Sequence, residues 1–482
     1  MATQLNNWLS IDKISGTGDA TITLTASSYQ ELVDRTANIK VQGISTNAIL
    51  TVRQNAYKPE ELEKKYFWVE FEGTGGEVYF SDTEALEAGL NGTDIYYSFD
   101  GISWNQPIST SNISKTIQLN NNTKVYIKNE THKMNNGKRG AGIYFNKNAK
   151  IGGDLSAIVS MSENCCDGLF YKSNYLTDAS KLILPWDVVE NRCFYEMFQN
   201  CTKLLYPPQL PATTLKGACY LSMFFGCSKL TVAPALPATT LSTEERKGDG
   251  TDPAEICGCY NGMFYKCTSL TEAPELPATT LAPGCYHSMF SYCTSLNKAP
   301  ALPATILEES CYKLMFSYCN LKELPLLPAT QLAKECYSYM FAYSSSLTTA
   351  PALPATTLAY MCYTHMFYNC TSLATAPALP ATTLANYCYY YMFNGCKSLT
   401  TAPELPATIL VEGCYADMFR GCSNLNYIKM LATDISAKNC LQMWVYRVAP
   451  TGTFVKATEN TNIPVDSSDG IPSGWTVETA TS

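Results

Sequence analysis

The sequence predicts a multidomain chain: two N-terminal β-sandwich domains followed by a solenoid of short parallel strands and short helices, with about 26 residues per repeat. Three observations carry this. A motif written CYxxMFxxC, then SL, AP and LPATTL, recurs from Cys165 to Cys440. Its leading cysteines stand at 165, 193, 219, 259, 285, 311, 336, 362, 388, 414 and 440, most of them 26 apart, with one insertion. The first 160 residues instead alternate apolar and polar side chains between turn signals, as half-buried strands do. Finally, 482 residues exceed what one compact core accommodates, whereas a repeat stack grows along a single axis because each unit packs only on its neighbours.

In residues 1–57 the expected strands are Thr21–Thr25, Ala37–Val41 and Ala48–Val52, separated by Gly16-Thr17-Gly18-Asp19 and Thr46-Asn47. Tyr57 to Glu63 reads as a polar, Pro-containing linker. A second β domain fills the rest of 58–160, with strands at Phe67–Phe71, Glu77–Phe80, Ile95–Phe99, Thr116–Leu119, Lys124–Ile127 and Gly142–Phe145. In the repeat region, 161–446, Leu384, Cys388, Met392 and Cys396 recur at i+4 with Tyr389 and Phe393 beside them, which predicts one apolar stripe on a short helix. Thr382 or Thr383 would cap it and Asn394-Gly395 would end it. Ser398–Ala402 is then extended, and Pro403 and Pro406 forbid a helix there. Eleven such units stacked at about 4.7 Å give a parallel sheet backed by helices, and residues 447–482 close the stack.

Two resemblances refine this reading. The order Trp8-Leu9-Ser10-Ile11, Gly16-x-Gly18, Thr21-Ile22-Thr23, Arg35, Thr51-Val52-Arg53-Gln54 resembles the BACON domain family. That implies an immunoglobulin-like module of the kind found in Bacteroidetes proteins and in their crAss-like phages, a family named for a proposed carbohydrate-binding role. We carry over its fold and not a glycan site. MFxxCxxL followed by Pro-containing extended sequence resembles the BspA-like (Treponema pallidum-type) leucine-rich repeats, in a longer version carrying LPATTL. Gly452–Val455 to Gly470–Val477 is similar to the C-terminal cap of Bacteroidetes members of that group. The resemblance implies a non-enzymatic adhesin or recognition protein.

The residues offer no reaction. With 34 basic and 42 acidic side chains, a net charge of −8 and no basic run, nucleic acid is not expected as a partner. No apolar window reaches 18 residues, so no membrane insertion is expected. The three histidines, His132, His287 and His365, have no partner in phase for a triad, a metal site or an acid–base pair. Glu272 and Glu323, with Lys298 between them, read as a solvated charge ladder rather than a glycosidase pair. The 21 cysteines are odd in number, and the eight-residue spacing within a repeat spans about 12 Å on a helix, too far for a disulfide. They read as small buried thiols. Cys165-Cys166 and Cys257-Gly258-Cys259 prompt zinc, but neither has a second ligand pair at metal spacing, so no metal and no cofactor are expected. The insertion after Leu241 amounts to 14 residues (40 minus 26). It reads as a solvated loop, in which Asp249, Thr251 and Asp252 lack the closing Glu of a calcium loop.

What remains is surface. The variable row Val232, Glu272, Lys298, Glu323, Thr349, Thr375, Thr401, Tyr427 is the candidate binding face, with the varying pairs before each Met-Phe, such as Thr364-His365 and Tyr390-Tyr391, as a second region. Tyr97 and Trp104 fit core and cross-strand packing better than sugar stacking. The N-terminal residues show no signal peptide. The expectation is a non-enzymatic virion protein, a phage fibre or fibre-associated adhesin. It would contact a host cell-surface glycan or protein and other virion proteins, and a homo-oligomer is compatible with it. The alternative is a BspA-type adhesin at the bacterial cell surface.

Overall fold

The computed structural model describes residues 3–6, 9–11, 24–26, 35–42, 47–54, 59–82, 94–109, 115–129, 141–241, 258–459, 463–466 and 468–480. Expectations for residues 16–19 and 21–23, the insertion at 242–253, Cys257 and His132 lie outside them. The chain divides into two compact units, Met1–Lys65 and Tyr66–Ser482.

In the first unit Thr3–Asn6, Leu9–Ile11 and Leu24–Ala26 form an antiparallel sheet, and Arg35–Gln42 pairs with Asn47–Gln54 as a hairpin. The expected linker is instead part helix, Pro59–Lys65. Proline suits a first helical position because its missing N–H would have no partner there. Glu60 and Glu61 at the start and Lys64 and Lys65 at the end complement the helix dipole.

In the second unit all six strands expected between residues 64 and 160 are present. They form a three-stranded sheet, Lys115–Gln118, Glu77–Asp82, Ala141–Phe145, and part of a six-stranded one. The larger sheet runs Leu176–Ile183, Ala149–Asp154, Phe67–Phe71, Lys124–Asn129, Asp94–Ser98, Ile108–Ser109. Phe71 and Phe145 meet edge to face between the two sheets, at 6.0 Å. Ala149–Asp154 pairs in parallel with Leu176–Ile183, which carries the first rung of the repeats. The β domain therefore runs into the solenoid through one continuous sheet and one continuous apolar core.

The solenoid follows the 26-residue period but has no repeat helices among its described residues, which corrects the strand-plus-helix expectation. The segment from Tyr387 to Cys396 is a ribbon of overlapping turns. Alternate amides close turns on the carbonyl three residues back: Cys388 on Ala385, Tyr390 on Tyr387, Met392 on Tyr389, Cys396 on Phe393, at 3.0–3.2 Å. The amides between them donate to the next coil: Tyr389 to Cys414, Tyr391 to Ala416, Phe393 to Met418, Gly395 to Arg420, at 2.8–3.1 Å. Every second backbone N–H thus joins neighbouring coils, and none needs the i−4 partner of a helix. The turns place two residues inward and two outward, so Cys388-Tyr389 and Met392-Phe393 are buried while Tyr390 and Tyr391 are half-buried. This period of four imitates a helical stripe over so short a run. The signal that separates them is the third position of every second turn, which takes positive φ: Tyr387, Tyr391 and Gly395, or Met361, His365 and Asn369 one coil earlier.

Between ribbons, the extended stretches meet as parallel bridges. One column runs Asp178, Tyr206, Val232, Glu272, Lys298, Glu323, Thr349, Thr375, Thr401, Tyr427, Thr453, Thr476, which makes twelve coils and carries the ladder through residues 447–482. Inside, like stacks on like. Tyr220, Tyr260, Tyr286, Tyr312, Tyr337, Tyr363, Tyr389 and Tyr415 lie face to face 5.8–5.9 Å apart. A parallel phenylalanine stack from Phe198 to Phe419 has centroids 5.4–5.9 Å apart.

The twenty described cysteines are free and buried. The second cysteine of each coil donates its S–H to a phenylalanine carbonyl of the preceding coil, as Cys370 to Phe341 and Cys396 to Phe367 do at 3.0 and 3.1 Å. Ser344, which stands where a cysteine is expected, makes the same bond to Phe316 at 3.2 Å. Burial raises these thiols, Cys370 to about 12, so they remain protonated donors.

Candidate binding surface

Parallel register brings the sequence-predicted row into one line. Val232 bridges Glu272, Lys298 bridges Glu323, Thr349 bridges Thr375, and Thr401 bridges Tyr427. All are exposed except Tyr427, which is half-buried. Lys298 Nζ lies 3.3 Å from Glu323 Oε2 with both side chains about two-thirds exposed (67 % and 68 %), so the pair contributes at most about 1 kcal/mol. The line is charged between Glu272 and Glu323 and hydroxylated between Thr349 and Thr401. A second exposed line, unnoticed in the sequence although LPATTL encodes it, stacks the first threonine of that motif, including Thr305, Thr330, Thr356, Thr382 and Thr408.

The outward side of the turn ribbon is aromatic. Tyr292, Tyr318 and Tyr343, from three successive coils, stack with centroids 4.1 and 4.3 Å apart and planes within 11°. Beside them His365 lies between Tyr339 and Tyr391, at 4.1 and 4.7 Å and within 9°. Tyr390 meets both His365 and Tyr391 edge-on. Burial raises the Tyr318 phenol, and hydrogen bonding with Tyr292 and Tyr343 adds to the rise, so the hydroxyls lie together as well as the rings. Burial also pulls His365 down to about 4, leaving a neutral imidazole whose Nδ1 has no hydrogen-bond partner. The varying pairs before Met-Phe that the sequence singled out contain Tyr339 (in Ser338-Tyr339), His365, Tyr390 and Tyr391, but Tyr292, Tyr318 and Tyr343 were missed. A tyrosine two residues after the phenylalanine in three consecutive repeats was the available signal.

These six stacked residues all hold positive φ, from 55° to 62°. Left-handed backbone costs a non-glycine residue about 1–2 kcal/mol, and cheaper residues are accepted at both ribbon positions, Gly395 and Asn369 where Tyr343 stands and Gly262 where Tyr339 stands. A stacked aromatic pair returns about 0.5–1.5 kcal/mol. The two roughly cancel, so stability gives little reason to prefer tyrosine here.

Trp104 packs edge-on against Tyr66 at 4.8 Å, and Tyr97 against Phe99 at 5.6 Å, as packing residues do. Among the described residues one group of three metal-ligating side chains converges, Cys165, Cys166 and Cys193, all buried and remote in sequence from the aromatic face. No described helix is long and apolar enough to cross a membrane.

Comparison with known proteins places these surfaces. Residues 3–55 match the BACON family, an N-terminal binding domain. Residues 258–400 and 334–441 match the BspA-type leucine-rich-repeat region, which covers the coils bearing the aromatic stacks. No curated protein and no solved structure matches the chain. Both matched modules belong to binding proteins, and the repeat surface is of that adhesin-like kind. The chain is a BspA-like leucine-rich-repeat protein with an N-terminal BACON domain.

Proposed function

We propose that this chain is a non-enzymatic adhesion protein of a bacteriophage virion, a fibre or fibre-associated protein, which engages a host-surface glycan along the ribbon face of its solenoid. The observation that carries the binding reading is the row of stacked tyrosines and histidine held in left-handed backbone at positions open to glycine and asparagine. Stacked rings present edges and hydroxyls rather than free faces, repeated once per coil. That pattern suits an elongated, hydroxyl-rich chain lying along the stack, with the exposed threonine lines offering further donors and acceptors. The virion assignment rests on the pairing of BACON and BspA-type modules and on the twenty unbridged cysteines, which fit assembly in a reducing compartment.

Mass spectrometry of purified virions tests the address, and the chain's absence from particles would leave the bacterial surface adhesin. That second reading is favoured by the BspA-type repeats themselves. For the ligand, the full chain is tested on arrayed host polysaccharides against Tyr318→Ala and Tyr343→Ala. Loss of retention in both variants with an unchanged unfolding midpoint supports the ribbon face. Retention that survives them, or release of shortened polysaccharide, refutes it.

A further inference from the structure

At the first coil four sulfur atoms converge. Cys165 Sγ lies 2.7 Å from Cys193 Sγ and 3.8 Å from Cys166 Sγ, and Cys193 Sγ lies 3.4 Å from Met161 Sδ. The three cysteines are wholly buried, and their sulfurs all lie within 4.8 Å of one another. The turn ribbon explains how neighbours in sequence reach one point, since it turns two consecutive residues inward. In later coils the second of these positions belongs to the aromatic stack, as Phe194, Tyr220 and Tyr260. In the first coil it is Cys166, so a thiol replaces the ring, and Met161 closes the group from the preceding segment. The vicinal pair was visible in the sequence, but Cys193 and Met161 join it only through the coil-to-coil register.

We propose that Cys165, Cys166, Cys193 and Met161 form a binding site for a soft monovalent metal ion, Cu(I). Three thiols and a thioether, with no nitrogen or oxygen in the set, form the donor class that selects Cu(I) over harder divalent ions. Sulfurs bound to one ion at about 2.3 Å stand about 3.8 Å apart in tetrahedral arrangement, which is the Cys165–Cys166 separation. Cys165 and Cys193 need to part by about 1 Å to match it. Met161 is half-buried, so the thioether stands on the surface side and marks the way in. Binding displaces thiol protons, so uptake is accompanied by acid release.

The test uses the full chain, reduced and kept free of oxygen, titrated with Cu(I) against a chromophoric Cu(I) chelator. Bound metal is counted by elemental analysis, and the copper–sulfur shell is read by X-ray absorption. One equivalent with an all-sulfur shell is expected. Cys166→Ser should weaken it by at least about 100-fold and Met161→Leu by about tenfold, since even groups outside the ligand set cost 10–100-fold. Cys388→Ser, in a coil with a single thiol at that level, should leave uptake unchanged. Circular dichroism of each metal-free variant separates a lost ligand from a lost fold. The proposal is overturned by absence of uptake, by uptake undiminished in correctly folded Cys166→Ser, or by zinc displacing copper. It is also overturned if a Cys165–Cys193 disulfide persists under reductant.

Discussion

Replacing Cys370 with serine and, separately, with alanine distinguishes two roles for the repeat cysteines. Cys370 is wholly buried, and its thiol donates to Phe341 O of the preceding coil at 3.0 Å. If the thiol merely fills space, serine and alanine should cost alike. If the S–H···O bond joins the coils, serine should be tolerated, because Ser344 already makes that bond in place of a cysteine. Alanine removes about 20 Å³, worth about 0.5 kcal/mol as residual cavity at about 24 cal/mol per Å³. It also forfeits a buried hydrogen bond of about 1 kcal/mol. The expected loss is about 1.5 kcal/mol for alanine and under about 1 kcal/mol for serine. Since coils contact only their neighbours, the loss should be local. Hydrogen exchange read by mass spectrometry over residues 336–396 should show faster exchange in the alanine variant, confined to the flanking coils. Equal protection in the two variants, or a serine variant worse than alanine, refutes the bonding role.

Acid should loosen the middle of the solenoid. Burial holds His287 and His365 at about 4, the positive charge of Lys313 adding to the effect at His287. Their native values lie below the free value of about 6.5, so the unfolded chain binds more protons. Stability therefore falls as pH drops from about 6.5 to about 4, then levels, by no more than roughly 3.4 kcal/mol per histidine. Unfolding midpoints across that range should steepen less in His365→Phe, and an unchanged profile speaks against the assignment. The second cysteines of the coils, such as Cys201, Cys370, Cys396 and Cys422, should resist a thiol reagent in the folded chain and react together in denaturant, because burial keeps them protonated and enclosed. Gly395→Ala should cost about 1–2 kcal/mol, since φ is +76° and a Cβ would stand 2.2 Å from Asn369 Oδ1. A thermal midpoint equal to that of the parent would contradict it.

How far the sequence could be read follows from which forces repeat. Period, coil register and the line from Glu272 to Tyr427 were legible because identical side chains must stack on identical side chains, and counting residues between cysteines measures that directly. The conformation of the ribbon was not, because helix and turn ribbon bury the same positions. Leu384, Cys388, Met392 and Cys396 mark an inward face at a period of 3.6 or of 4, and the thirteen residues they span are too few to tell them apart. What decides is where the amides go, and here half of them leave the coil. An isolated helix of this length is marginal in water, whereas a ribbon laid on a like ribbon gains a cross-coil bond at every second residue. The recurrence of Gly226, Gly395 and Gly421 at one ribbon position is the trace this leaves in the chain, and the glycine reads as a required positive φ rather than as a helix stop. The same reasoning explains why Tyr292, Tyr318 and Tyr343 escaped notice. In a helix their position is one more solvent-facing site. In the ribbon it is a left-handed corner aligned from coil to coil, where a tyrosine must offset its own backbone strain by stacking on the next.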